Sequence, residues 1–157
     1  MNNIPQTVPK EPVRTPLINT QLGELEITNE NTVYFRYGIP GFETLTKFLI
    51  ADFKDFSPFK VLQSLEDPEV TLLILDISLI ETSFRLKIPN TDLRKINIVG
   101  NGYDQNVEVF VVLKYDKTAK KFTANIKAPI IINTQEQIGC QVILDDDLSV
   151  HYPLTPV

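Results

Sequence analysis

The sequence has few of the residues on which most metal and nucleophilic sites depend. Its 157 residues include one cysteine, one histidine, one methionine and no tryptophan. Cys140 has no second thiol for a disulfide, and a free thiol in an apolar stretch usually behaves as a small buried hydrophobe. His151 lies near the C-terminus, where a surface or capping role is more common than a catalytic one. Metal sites built from histidine and cysteine are excluded by count, and we expect no metal, no cofactor and no catalytic residue.

Positive charge is also in short supply. Fifteen lysines and arginines against twenty aspartates and glutamates give a net charge of -5. Binding to a phosphate backbone requires clustered positive charge, so we expect no direct contact with nucleic acid. No apolar stretch approaches the roughly 20 residues that span a bilayer, and the N-terminus does not look like a secretory signal. These absences predict a cytoplasmic protein without a membrane partner.

The chain has the size and composition of one folded domain. Hydrophobic residues make up 43% of it and charged residues 22%, which are ordinary globular values. Four of the eleven prolines fall within the first sixteen residues. Proline removes backbone donors, and little apolar periodicity accompanies these four. We therefore predict a flexible, proline-rich tail over residues 1–18 and a single domain over residues 19–157.

Alternation of apolar and polar residues with a period of two dominates the rest of the chain, as in strands with one buried face. The clearest strand is Val107–Tyr115, which has apolar residues on both faces and is predicted to be central. Leu25 and Ile27 are predicted to form a first hairpin with Val33 and Phe35, through a turn at residues 29–31. Further predicted strands are Phe59–Leu65, Val70–Asp76, Phe84–Ile88, Phe122–Lys127, Ile130–Asn133 and Gln141–Leu144, and short helical segments are predicted at Glu43–Phe48 and Thr91–Ile96.

Many short strands separated by Asn, Asp, Gly and Pro clusters are typical of an antiparallel barrel or sandwich. A parallel fold would need crossover helices of about a dozen residues, and the chain offers at most a short one. The sequence thus predicts an all-β, mostly antiparallel fold: a β-barrel-like single domain with one or two short helices.

Two acidic segments are candidates for contact with a partner. Glu66, Asp67 and Glu69 surround a proline between two predicted strands, so they would form a rigid negative turn at a sheet edge. A second cluster comprises Asp145, Asp146 and Asp147, which lack the ligand spacing and the glycine of a calcium loop. From the residues alone, each cluster is most simply an exposed, solvated turn whose substitution leaves the fold intact.

Several segments together resemble the FliW family of flagellar assembly factors. In chain order these segments are GELEI (Gly23–Ile27), GIPGFE (Gly38–Glu43), PFKVLQSLEDPEV (Pro58–Val70), TANIKAPIIIN (Thr123–Asn133) and GCQVILDDD (Gly139–Asp147). They follow the order and spacing of the family from about residue 20 to residue 154.

The resemblance implies a non-enzymatic cytoplasmic protein that binds two alternative partners. One is the C-terminal region of flagellin, and the other is CsrA, an RNA-binding translational repressor. Binding of CsrA would relieve repression of flagellin mRNA, and new flagellin would release CsrA again. On this interpretation the turn at Glu66, Asp67 and Glu69 becomes the first candidate for partner binding. Asp145, Asp146 and Asp147 are the second.

The remaining family segments are expected to be structural. Gly38 and Gly41 would provide the backbone angles of a tight corner that Phe42 anchors in the core. Asn125 and Asn133 would satisfy backbone groups near the proline of the segment between them. The competing functional class is a small-ligand-binding β-barrel or an enzyme of unknown substrate, which would need a polar pocket of several hundred cubic ångströms. A direct nucleic-acid binder is a third, disfavoured class.

Overall fold

The computed structural model describes residues 17–20, 23–53, 55–80, 87–99, 106–144 and 147–154. The strands are β1 (Leu17–Thr20), β2 (Gly23–Glu26), β3 (Thr32–Tyr34), β4 (Lys47–Asp52), β5 (Lys60–Ser64), β6 (Thr71–Asp76), β7 (Val107–Asp116), β8 (Lys121–Asn133), β9 (Ile138–Gln141) and β10 (Tyr152–Pro153). A 3-10 turn (Ile77–Leu79) follows β6, and the short helix α1 (Asn90–Lys95) precedes β7.

Strands β3 to β9 close into a seven-stranded barrel. Neighbouring strands from β3 to β8 are antiparallel, and β9 completes the ring by pairing with both β8 and β3. The contact between β3 and β9 is parallel and joins Tyr34 to Ile138. Strand β10 extends the sheet beside β8, while β1 and β2 pair with each other as a separate hairpin. The predicted all-β barrel with little helix is confirmed.

The barrel interior is filled by apolar side chains. Alternation along each strand sends every second residue inward, which is the pattern that the sequence shows. The inward-facing cluster consists of Val33, Phe35, Ile39, Phe48, Leu62, Ile74, Phe110, Ile130 and Ile132, each no more than 2% exposed. Edge-to-face packing of Phe35 on Phe48, with ring centroids 5.1 Å apart, lies within this core.

The outer face of β7 is also covered, as expected for a central strand. Val109 packs with α1 residues such as Leu93 and with β8 and β9 in a second cluster. Val111 and Leu113 belong to a third cluster that includes residues of the C-terminal segment. Phe110 points to the inside of the barrel. The prediction of a strand buried on both sides is therefore confirmed.

The first predicted hairpin is wrong in its pairing. Strand β2 pairs with β1, and β3 pairs with β4 and β9 instead. The turn itself exists, because the Asn31 side chain accepts a hydrogen bond from the Thr28 amide and the Thr28 hydroxyl accepts one from the Asn31 amide. Local alternation identifies strands but does not specify partners, and closing the barrel requires β3 to bind β9.

The corner after β3 also differs from expectation. Residues 43–46 form a turn and extended chain, not the predicted helical segment, and β4 begins at Lys47. Gly38 and Gly41 do adopt positive φ angles of 65° and 91°. However, Phe42 is 38% exposed, and Ile39 is the residue buried in the core. The prediction that Phe42 anchors the corner is wrong.

Strand β8 runs through Pro129 as one strand of thirteen residues, where two strands were predicted. Its pairing with β7 jumps from Ile130 to Asn125 across Val111, so a bulge absorbs the proline. The Asn125 side chain accepts a hydrogen bond from the Ala128 amide inside this bulge. After β9 the chain leaves the regular ladder and bonds to the bulge, because the Val142 amide donates to the Pro129 carbonyl. The predicted strand at residues 141–144 is therefore displaced to Ile138–Gln141.

Several predictions fall wholly or partly outside the described residues. They concern residues 1–16 of the tail, most of the predicted strand at residues 84–88, and two of the three consecutive aspartates. Strand β1 begins at Leu17, two residues inside the predicted tail. In the described part of the chain, no helix is long and apolar enough to cross a membrane.

Candidate partner-binding surface

The acidic turn (residues 65–70, between β5 and β6) is held in place by its own hydrogen bonds. The Ser64 hydroxyl oxygen accepts hydrogen bonds from the amides of Glu66 (3.1 Å) and Asp67 (3.0 Å). The Asp67 carboxylate accepts one from the Glu69 amide at 3.0 Å, and the Asp67 carbonyl accepts one from the Val70 amide. These contacts are those of an Asx-type turn, which fixes the loop before any partner arrives.

A buried glutamine supports the turn from beneath. Gln63 is fully buried, and its side-chain amide donates to the carbonyl oxygens of Ser64 (2.9 Å) and Pro68 (3.3 Å). The Thr71 hydroxyl donates to the side-chain oxygen of Gln63. Buried polar groups that are satisfied in this way restrict the backbone around them to one arrangement. The turn is therefore a preformed feature of the barrel end.

Glu66 is a structural group as well as an exposed one. Its carboxylate oxygen Oε1 accepts hydrogen bonds from the backbone amides of Thr46 (2.7 Å) and Lys47 (2.9 Å). These two bonds, with that of Lys47 contributing most, hold the pKa of the Glu66 carboxyl below its ordinary value of 4.5. The carboxylate thus ties the acidic turn to the start of β4. The expectation that all three acids can be replaced without loss of the fold stays a prediction, and Glu66 is the acid at which these bonds make a cost to stability most expected.

Glu69 is exposed and Asp67 is partly exposed, and the Asp67 carboxylate also bonds to the Glu69 amide within the turn. The end of β3 and the connection from β3 to β4 carry three exposed aromatic side chains. Tyr34 is 45% exposed, Tyr37 57% and Phe42 38%. Aromatic residues are enriched at protein interfaces. Sequence reasoning assigned Phe42 to the core and did not single out Tyr34 or Tyr37, which lie just before the GIPGFE segment.

The second acidic cluster is described only at its end. Asp147 is exposed, and Asp145 and Asp146 lie outside the described residues. The preceding Leu144 donates its amide to the Lys127 carbonyl, and the Ser149 carbonyl accepts the Ile126 amide at 2.9 Å. The chain around Asp147 therefore follows the bulge of β8.

Cys140 and His151 are the only cysteine and histidine of the sequence, and neither lies in an activating environment. Cys140 is 6% exposed in the outer cluster, and burial raises the pKa of its thiol, which keeps the thiol protonated. His151 is exposed. Among the described residues, no three His, Cys, Asp or Glu side chains are grouped as a metal site requires.

Two depressions in the described part of the chain are open to the surface. One, of about 540 Å³, lies at the end of the barrel beside residues 29–31 and Glu108. The other, of about 520 Å³, lies along the β7–β8 hairpin and includes His151. The barrel interior itself is filled with apolar side chains. This arrangement favours recognition at the surface over an enclosed ligand site.

Replacing Glu66 by glutamine is expected to lower the midpoint of thermal unfolding at pH 7 by a few degrees. A carboxyl whose folded pKa is depressed stabilises the fold fully above its unfolded pKa near 4.5. That contribution is lost as pH falls through the lower folded pKa. Thermal scans at several pH values should therefore show the gap between the original protein and the variant closing in acid.

Glu30→Gln is the matched control, because Glu30 is exposed in another turn. It should barely change the midpoint. A gap for Glu66→Gln that persisted unchanged at about pH 3 would contradict the assigned role of the carboxylate.

Comparison with known proteins places the chain in a family. The family model for FliW protein matches residues 16–154. The flagellar assembly factor FliW of Caldicellulosiruptor bescii is 39% identical over 132 residues, covering 84% of this chain and 82% of that protein. That of Thermosipho africanus is 37% identical over 130 residues, covering 82% of this chain and 88% of that protein.

A solved structure agrees with the sequence matches. The crystal structure of the flagellar assembly factor FliW aligns with a TM-score of 0.78 at 29% identity, covering 90% of this chain and 98% of that chain. The resemblance seen in the GIPGFE, LEDPE and APIIIN segments is therefore confirmed over most of the chain, and this protein belongs to the FliW family.

Proposed function

We propose that this protein is a cytoplasmic flagellar assembly factor that works by binding other proteins and has no catalytic activity. Its two partners are the C-terminal region of flagellin and the translational repressor CsrA. The observation that carries the proposal is the match to the FliW family from residue 16 to residue 154, together with relatives that are named flagellar assembly factors.

The charge of the chain supports CsrA as a partner. A protein that binds RNA presents positive charge to the phosphate backbone. The net charge of -5 of this protein complements such a surface and would accelerate encounter. The acidic turn supplies part of this charge in a fixed position, so less conformational freedom is lost on binding.

Exposed aromatic side chains on the connection from β3 to β4 offer a different kind of contact. Tyr37 and Phe42 lie on the corner after β3. The same connection ends at Thr46, whose backbone amide donates to Glu66. Apolar area of this kind suits a helix or strand from flagellin, whose binding would depend less on salt. Binding of flagellin would release CsrA, and CsrA would then repress flagellin mRNA again.

Titration calorimetry with purified CsrA, and separately with the C-terminal segment of flagellin, tests the proposal. We expect saturable binding of each partner by the intact protein. Failure of both to bind would refute the proposed function.

Replacing Asp67 by asparagine and Glu69 by glutamine together is expected to weaken CsrA binding by about tenfold, with most of the loss in the association rate at low salt. Both changes keep the size of the side chains, and Glu66 stays in place to hold the turn. Stopped-flow or surface-based kinetics over a salt series measures the effect. Flagellin binding should change less.

The control pair is Glu24→Gln with Glu26→Gln on β2, which removes the same charge from two other exposed positions. It should leave CsrA affinity within about twofold. A third variant, in which Asp145, Asp146 and Asp147 are all replaced by asparagine, tests the second acidic cluster in the same assay. Loss of binding in that variant alone would place the contact at the second acidic cluster and not at the acidic turn.

A further inference from the structure

The β7–β8 hairpin concentrates positive charge on a protein that is acidic overall. Residues 114–121 hold four lysines and one aspartate, a local charge of +3 against a net charge of -5 for the whole chain. All four lysines are exposed: Lys114, Lys117, Lys120 and Lys121. We call these residues the lysine hairpin.

The acids of the described structure do not neutralise this charge. Asp116 directs its Oδ1 atom to the backbone amides of Thr118 (2.9 Å) and Ala119 (3.2 Å), so it serves the turn. The two ion pairs found among the described residues involve Lys60 and Lys95, neither of which is in the hairpin. The lysine hairpin therefore presents ammonium groups with no carboxylate partner in the described part of the chain.

The hairpin also forms one wall of a cleft. Lys114 pairs across the sheet with Thr123, and β10 brings His151 beside the same strand. These three residues, with Tyr115, Asp116 and Lys117, line an open depression of about 520 Å³. The Tyr115 ring is 48% exposed and rests against Phe122 with centroids 5.0 Å apart. The cleft thus combines two ammonium groups, a hydroxyl, an imidazole and an aromatic ring with one carboxylate, that of Asp116, which is bonded to the turn.

The backbone at the tip has a conformation that lysine does not favour. Lys120 has a φ of 52°, in the left-handed region that favours glycine and asparagine. Asn97, which also has a positive φ, is of a residue type that tolerates that conformation. A lysine in this position costs stability relative to asparagine. An unfavourable residue at an exposed tip is a reason to look for a function.

We infer that the lysine hairpin and its cleft form a docking site for an acidic segment of a protein, in which Asp and Glu carboxylates meet the lysines and Tyr115 packs against the peptide. A long polyphosphate chain would reach beyond the hairpin, where the net charge of -5 of the protein would repel its phosphates. A short acidic peptide touches the hairpin alone. A lysine ammonium group is a point charge, so it can pair with a carboxylate in several arrangements. It lacks the planar fork with which arginine binds phosphate.

Fluorescence anisotropy with a labelled octaglutamate peptide at low salt tests the inference. The test variant carries Lys114→Gln, Lys117→Gln and Lys121→Gln, and the control carries Lys47→Gln, Lys87→Gln and Lys127→Gln, so both have the same net charge. We expect the test variant to bind the peptide at least about tenfold more weakly than the original protein and the control to change by less than about threefold. Equal losses in the two variants, or no binding by the original protein, would overturn the inference.

Two further measurements distinguish the chemistry. A labelled octauridylate should bind more weakly than the peptide, and tighter binding of the oligonucleotide would assign the site to nucleic acid instead. Lys120→Asn should weaken peptide binding while raising the midpoint of thermal unfolding, because asparagine tolerates the left-handed backbone. Unchanged peptide binding by this folded variant would remove Lys120 from the site and contradict the reason inferred for its strained position.

Discussion

Replacing Phe35 by alanine is expected to lower the free energy of unfolding by about 3–5 kcal/mol, the largest effect of any single change considered for this protein. Phe35 is fully buried and packs edge-to-face on Phe48. Its ring also fills the space that Gly139 leaves open, since a Cβ atom at Gly139 would lie 2.6 Å from the ring carbon Cζ. Phe35 therefore fills the core where β9 meets β3. Denaturant titration measures the expected decrease in the free energy of unfolding.

Tyr37→Ala provides a matched aromatic control two residues away. Tyr37 is 57% exposed, so its removal should cost less than about 0.5 kcal/mol. A second check uses Gly139→Ala, which should be severely destabilising in the original protein and far less so when Phe35 is already alanine. Additive effects of the two changes would show that Phe35 and Gly139 do not share the space assigned to them.

Replacing Asn133 by alanine is expected to cost about 2–4 kcal/mol, because one buried carbonyl and two partly buried amides of the backbone lose their partner at once. Asn133 is 3% exposed, and its side-chain amide donates to the Ile96 carbonyl at 2.8 Å. Its side-chain oxygen accepts from the amides of Gln135 and Glu136 at 3.0 and 3.1 Å. The side chain thus joins the end of α1 to the β8–β9 turn. Thermal or denaturant unfolding measures the cost.

Asn125→Ala is the comparison for this prediction. Asn125 is half-buried and accepts one backbone hydrogen bond, from Ala128, so its loss should cost only about 1 kcal/mol. If the two substitutions had the same effect, the bridge from Asn133 to α1 would contribute nothing measurable.

Strand positions could be predicted from the sequence because alternation is a local property. Strands β5, β6 and β7 lie within a residue or two of their predicted bounds, and α1 begins one residue early. Pairing is not local. The hairpin predicted from Leu25 to Phe35 fits the local alternation over eleven residues, yet β3 binds β9, which lies about a hundred residues further along the chain. No pattern within a short window contains that information.

Burial at irregular segments was equally hard to predict. Phe42 is the largest apolar residue of the GIPGFE corner, but Ile39 is the one that points inward, because the turn between the two glycines reverses the chain. Pro129 suggested a break in the sheet, and a bulge accommodates it within one strand. The direction of the side chains at the corner and the continuity of β8 both depend on local backbone angles, which composition does not encode.

The candidate site was located from sequence, but its internal roles were not. An acidic turn between strands is visible in the order of residues, whereas the bonds from Glu66 to Thr46 and Lys47 connect residues about twenty positions apart. Those bonds tie Glu66 to the start of β4, whereas the Asp67 carboxylate bonds within the turn itself. The lysine hairpin was missed because the net charge of the chain conceals a local excess of the opposite sign.

The most direct test of the proposed function is a displacement experiment with both partners. The protein is immobilised, loaded with CsrA and then exposed to increasing amounts of the C-terminal segment of flagellin, while released CsrA is measured. We expect flagellin to bind and CsrA to leave in proportion. CsrA that stays bound while flagellin adds to the same complex, or an immobilised protein that retains neither partner, would contradict a factor that alternates between the two.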